Sequence, residues 1–289
     1  MTSRRRPSTT IRGLGLVELL IALAIAAFLL WGLFEIYYSN ALGSVAQQAE
    51  AALDDNIRTA VTLLTTDARQ AGYRAILTED PSQIFTQIPD NEADPTAFLA
   101  TGSHPIMLAT WHGSPAPPYG FAVSFQSNGQ MENCLGQTVP YGVVDTDEWK
   151  LDTSTEQLMC RSYVGASGIG SWQGYEPLVN NVEMMVVRFG LDTQNTDSVD
   201  VYADPGAVVQ WNQIRAIQIG LILASGDAAQ PDGTIGDVLT TPASGSYDLF
   251  GDVFSPWPKV PDRYLRVAVV RDVALRNIVS YYRHNPGGQ

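Results

Sequence analysis

From Leu14 to Phe34 the chain reads LGLVELLIALAIAAFLLWGLF, a run of 21 residues with one ionisable side chain, Glu18. Coiled as a helix at 1.5 Å per residue, it spans about 30 Å, the thickness of a bilayer core. Arg4, Arg5, Arg6 and Arg12 precede it with no acid among residues 1–13, the positive-inside pattern of a segment that keeps its N-terminus in the cytoplasm. Three readings compete. One is a secretory signal cut beyond the run, where Ser39-Asn40-Ala41 is a tolerable site. Another is a plain single-pass anchor. The third is a leader cut before the run. Glu18 marks the run as more than a plain apolar segment, because a carboxylate inside a membrane segment is expensive and is seldom there without a role.

No proline occurs from Ser8 to Asp80, so the helix is predicted to continue past the apolar run. Beyond Ser39 the pattern becomes amphipathic. Val45, Ala49, Ala52, Leu53, Ile57, Ala60, Leu64, Ala68 and Ala71 recur mostly three or four apart, while Gln47, Gln48, Glu50, Asp54, Asp55 and Arg58 occupy other faces. The expected helix covers residues 14–75, with its membrane half at about 14–38. Gly32 and Gly43 are its weak points, each about 1 kcal/mol worse than Ala.

Residues 76–289 read as a β-rich head. Residues 76–118 hold seven of the 17 prolines and are expected to form an irregular connection. Strands are predicted at Phe121–Phe125, Tyr141–Val144, Trp149–Leu151, Leu158–Arg161, Val182–Leu191 and Ile214–Ala224, with a turn at Asp152–Glu156. The longest expected strand runs from Leu265 to Tyr281, and residues 226–262 are a Gly/Pro/Asp/Ser-rich loop before it. A helix followed by many strands predicts an α+β fold, with the amphipathic half of the helix packed on an antiparallel sheet.

Charge and motif content narrow the function. Lys and Arg number 17 against 30 Asp and Glu, a net charge of −13, and a body this acidic repels nucleic-acid phosphates. There is no G-x-S-x-G, no H-E-x-x-H and no Walker A motif; the lysines are Lys150 and Lys259. His104, His112 and His284 are scattered and suggest no catalytic triad. No cofactor is expected. Cys134 and Cys160 lie on the side that an N-terminal anchor exports, where a disulfide between them competes with two separate buried thiols. Asp192, Asp197 and Asp200 offer a weak calcium candidate, but the D-x-[DN]-x-[DN]-G spacing is missing and a solvated hairpin loop is the commoner arrangement.

The N-terminal sequence Arg12-Gly13-Leu14-Gly15-Leu16-Val17-Glu18 resembles the class III signal of type IV pilins and of type II secretion pseudopilins. That resemblance implies cleavage by a prepilin peptidase after Gly13, methylation of the new N-terminus at Leu14, and a role for Glu18 in assembly. Four further segments resemble PilW-type minor pilins: Asp67-Ala-Arg-Gln-Ala-Gly-Tyr-Arg74; Pro177 to Glu183 with Val187 to Thr193; Trp211 to Ser225; and Leu275-Arg276-Asn277. With the leader they are spread along nearly the whole chain. The resemblance implies a type IV pilin fold. It also implies a minor pilus subunit that primes assembly at or near the tip, anchored in the inner membrane of a Gram-negative bacterium, with its head in the periplasm and later in the extracellular pilus. The implied partners are the prepilin peptidase, other minor pilins, the major pilin, the inner-membrane assembly platform and a tip adhesin. A J-type minor pseudopilin of type II secretion is the alternative within the class. A membrane-anchored periplasmic binding or hydrolytic domain is the alternative outside it.

Overall fold

The computed structural model describes residues 15–79, 84–85, 97–98, 106–110, 120–165, 170–225, 247–254 and 264–278. The leader, with Gly13 and Leu14, lies outside them. A single helix, α1, runs Leu16–Gln70, and the chain divides into two compact units, Met1–Gln47 and Gln48–Gln289.

In the first unit, α1 leaves Leu16, Val17, Leu19, Leu20, Ile21, Leu23, Ile25 and the apolar residues through Tyr38 exposed. The segment is long and apolar enough to cross a membrane by length and composition.

In the second unit, α1 buries the predicted stripe: Ala49, Leu53, Ala60, Leu64, Ala68 and Ala71, with Ile57 half-buried. Ala52 is exposed instead. After Gln70 the chain turns through Gly72, whose φ of +74° suits glycine. The next residues bind the sheet directly: Gly72 N–H donates to the Ser124 carbonyl at 2.9 Å, and Gln126 N–H to that of Tyr73 at 2.8 Å.

The strands follow in chain order: β1 Ala97–Phe98, β2 Ile106–Thr110, β3 Gly120–Gln126, β4 Val144–Asp152, β5 Gln157–Val164, β6 Ser171–Trp172, β7 Glu176–Asn180, β8 Val182–Leu191, β9 Val201–Ala203, β10 Ile214–Ala224, β11 Tyr247–Leu249, β12 Asp252–Phe254 and β13 Arg266–Ala274. The pairings are antiparallel throughout. The head is thus α+β with antiparallel sheets, as predicted. There are two main sheets rather than one. The first runs β1-β2-β3-β4-β5-β6 with β7 also on β5, the second runs β13-β10-β8-β9, and β11-β12 is a separate hairpin. One core joins the helix to both, with Leu64, Phe121, Trp149, Leu158, Phe189, Ile217 and Leu221 among its buried members.

Three local expectations change. Tyr141-Gly142 is a turn, with Gly142 at φ +75°, and the strand begins at Val144. Short strands interrupt the expected loops at 76–118 and 226–262. The last strand ends at Ala274 and a helical turn follows at 276–278; the remainder of the predicted strand lies outside the described residues. In the sequence Leu265, Val267, Val269, Val273, Leu275, Val279 and Tyr281 fall at period two and predict one apolar face, but that face is looser than the period suggests. Val267 is exposed, while Arg266 from the opposite face is buried on Glu183.

Candidate functional site

Glu18 sits in the first turn of α1, exposed, with its N–H donating to the Gly15 carbonyl at 3.0 Å. It is the one acid of the run from Leu14 to Phe34, with Glu35 following just beyond it.

The cysteines are joined, Cys134 to Cys160. Cys160 is on β5 opposite Trp149 of β4, so the bond pins the 127–143 loop to the helix-facing side of the sheet. Beside it, Cys134 N–H donates to Asp147 Oδ2 at 2.9 Å.

The calcium candidates serve the loop that carries them. Asp192 is fully buried at the end of β8. Its carboxylate accepts the N–H of Thr196 at 2.8 Å and of Asp197 at 2.9 Å, and lies 3.5 Å from Arg215 Nε. Asp200 accepts the Thr193 hydroxyl at 2.8 Å and the Gln194 N–H at 3.1 Å. Asn195 and Asp197 take left-handed φ, +55° and +62°. This is a turn closed by its own carboxylates. Among the described residues, the group of metal-type ligand atoms brought close together is Cys134, Asp147 and Cys160 instead, and its sulfurs are bonded to each other.

The segments that carried the resemblance have structural duties. Asn277 Nδ2 donates to the Arg69 carbonyl at 2.9 Å, satisfying one of the carbonyls that the last turn of α1 leaves without an intrahelical partner. Arg188 on β8 holds Asp204 and Asp252, each at 2.7 Å, and the Phe250 carbonyl at 2.7 Å. It thereby ties the β11-β12 hairpin to the second sheet. Glu183 takes Arg266 in a two-pronged contact at 2.7 and 2.8 Å across β10. Trp211 stacks edge-on to Phe189, with ring centres 5.4 Å apart.

One cluster was not anticipated. Asp67 of α1 and Asp145 and Asp147 of β4 are all buried, at 4%, 0% and 0% exposure. Asp67 accepts the indole N–H of Trp149. Asp145 Oδ1 accepts the Ser162 hydroxyl at 2.6 Å, and Ser162 in turn accepts Asn133 Nδ2 at 3.1 Å. Burial pushes Asp67 up to about 7, against the lowering pull of Trp149 and Asp147. Burial pushes Asp145 up to about 6. Asp147 is raised well above the usual carboxylate range, by burial first and then by the charges of Asp67 and Asp145. The sequence does hold a signal: Asp67 stands three residues after Leu64, on the apolar stripe, and Asp145-x-Asp147-x-Trp149 has the period that puts one face of a strand inward.

Residues 143–277 match the family model of type IV pilus-assembly protein W, PilW. The resemblance read from the sequence is borne out over that span. It includes the strand segments and the closing Leu275-Arg276-Asn277; the leader and the Asp67–Arg74 segment lie outside it. No curated protein matches the chain. Among solved structures, a type IV-like pilin from Thermus thermophilus is 17% identical, with a TM-score of 0.46, covering 78% of this chain and 98% of that one.

Proposed function

We propose that this protein is a minor structural subunit of a type IV pilus and primes assembly at or near the tip. In this reading residues 1–13 are a leader removed by prepilin peptidase after Gly13, and Leu14 becomes a methylated N-terminus. Residues 14–75 are the assembly helix, with its membrane half at about 14–38. Residues 76–289 are a head displayed first in the periplasm and then on the pilus. Its partners are other minor pilins, the major pilin, the inner-membrane platform and a tip adhesin. The role is structural and not catalytic.

The observation that carries the reading is one continuous helix whose first half exposes an apolar surface and whose second half is the spine of a PilW-like head. An exposed apolar surface of that extent demands a membrane or a bundle of like helices. Intact-mass analysis of the protein from membranes tests the processing: a methylated chain beginning at Leu14 is expected, and one beginning at Leu42 or Met1 overturns the pilin reading. Deletion tests the filament. Loss of surface pili with secretion intact is expected, whereas loss of type II secretion with pili intact assigns the protein to the pseudopilins.

A further inference from the structure

Asp67 and Asp147 reach each other from two different elements. Asp67 accepts the indole N–H of Trp149, two residues from Asp147 on the same inward face of β4, and a hydrogen bond between the two carboxyls bears on the ionisation of each. One oxygen of each, Asp67 Oδ1 and Asp147 Oδ1, has no donor among protein groups. The other oxygen is occupied, by Trp149 Nε1 on Asp67 and by the Cys134 N–H on Asp147. Two buried carboxylates facing each other repel and leave acceptors unmet. A single proton held between them turns the repulsion into a hydrogen bond.

The groups around the pair offer no other remedy. From β4, Asp145 adds negative charge and Trp149 donates one N–H. From β5, Ser162 is directed to Asp145 and Cys160 is in the disulfide. From the 127–143 loop come the Cys134 amide and Asn133, which is directed to Ser162. The nearest cation in register, Arg161, is opposite Glu148, and residue alternation puts that pair on the other face of the sheet. Its guanidinium bonds Glu148 at 2.6 Å. Among the described residues no cationic side chain pairs with Asp67 or Asp147.

We propose that Asp67 and Asp147 form a proton-sharing clasp that fastens the C-terminal end of α1 to β4 beside the disulfide, making the head a pH-sensitive lock that tightens as it takes up the proton. The helix end is where it would matter, because the chain passes from Asp67 through Gly72 into direct hydrogen bonds with β3. The lock would therefore set how firmly the assembly helix is held by the head. This does not rest on the pilus reading; it concerns the folded head alone.

The sign follows from linkage. The folded head binds a proton that the unfolded chain releases near the ordinary value of 3.8. Stability from the clasp is therefore complete below that value and is lost as pH rises toward about 7. One such group changes the folded-to-unfolded ratio by up to about tenfold per pH unit in that window.

The test is urea unfolding of the full chain in detergent between pH 5 and 8, for wild type and Asp67→Asn. Asparagine donates to Asp147 without needing a proton. The stability of Asp67→Asn relative to wild type should rise with pH, by about tenfold or more across the range. A constant offset between the two overturns the clasp. Should Asp67→Asn fail to fold, infrared spectroscopy of the wild type decides. A buried protonated-carboxyl band at pH 7, above the range in which Asp145 holds its proton, supports the clasp, and no such band at pH 7 overturns it.

Discussion

Asn277 and Glu183 show how single side chains in this head hold distant segments together. Asn277 is 208 positions from Arg69 in sequence, yet it closes the last turn of α1. Asn277→Ala leaves the Arg69 carbonyl without that donor, so a loss of about 1 kcal/mol is expected in urea unfolding of the detergent-solubilised chain. Glu183 is a harsher case. Its contact with Arg266 is buried, at 8% and 2% side-chain exposure. Glu183→Ala takes the carboxylate away from a guanidinium that stays buried and should cost about 3–5 kcal/mol, whereas Glu183→Leu combined with Arg266→Met removes both charges and should cost much less. Equal losses in the two variants would show that packing, not the uncompensated buried charge, sets the penalty.

At the scale of elements, the disulfide and the sheets divide what local sequence encodes from what it does not. The bond spans 26 positions and ties a loop to β5. By loop-closure entropy it should contribute about 3–4 kcal/mol. Replacing both cysteines with serine is expected to lower the unfolding midpoint accordingly, and non-reducing peptide mapping of the wild type should show one linked pair. The spine of the head was legible because burial on one helix face writes itself as a three-four period. Val182–Leu191 and Ile214–Ala224 were legible because they sit in the sheet interior as long apolar runs, and both match the observed strands. The partition into two sheets was not legible, since alternation tells which face is inward and not which strand is adjacent. β13 was overextended for a related reason. Leu275 continues the apolar period, but Ile278 N–H bonds to its carbonyl at 3.2 Å and turns the chain. The carboxyl cluster was half legible. Asp67 breaks an apolar stripe and Asp145 and Asp147 share a strand face, but only the fold brings those two places together.

At the scale of the whole molecule, the processing and the assembly proposed above meet at one residue, Glu18. An isolated acid in the bilayer costs about 3 kcal/mol on insertion scales, so it needs compensation. Cleavage after Gly13 would create a free amine at Leu14, four residues away, about 6 Å along a helix carried back to that point. Within one chain the amine and carboxylate would neutralise each other. Between chains, Glu18 of an entering subunit would meet the amine of its neighbour, and that pairing would fix the axial register of otherwise featureless apolar helices. The competing role is recognition by the peptidase. Two substitutions separate them. Glu18→Gln keeps shape and removes charge; it should be trimmed and methylated like wild type by intact mass, yet co-purify poorly with other pilins after detergent extraction. Glu18→Ala should behave the same way, with trimming at Gly13 preserved. Normal incorporation of Glu18→Gln would eliminate the charge pairing, and untrimmed Glu18→Ala would assign the residue to the peptidase. Co-purification lost while trimming persists is the pattern that a register-setting ion pair requires, because the amine it needs exists only after the cut.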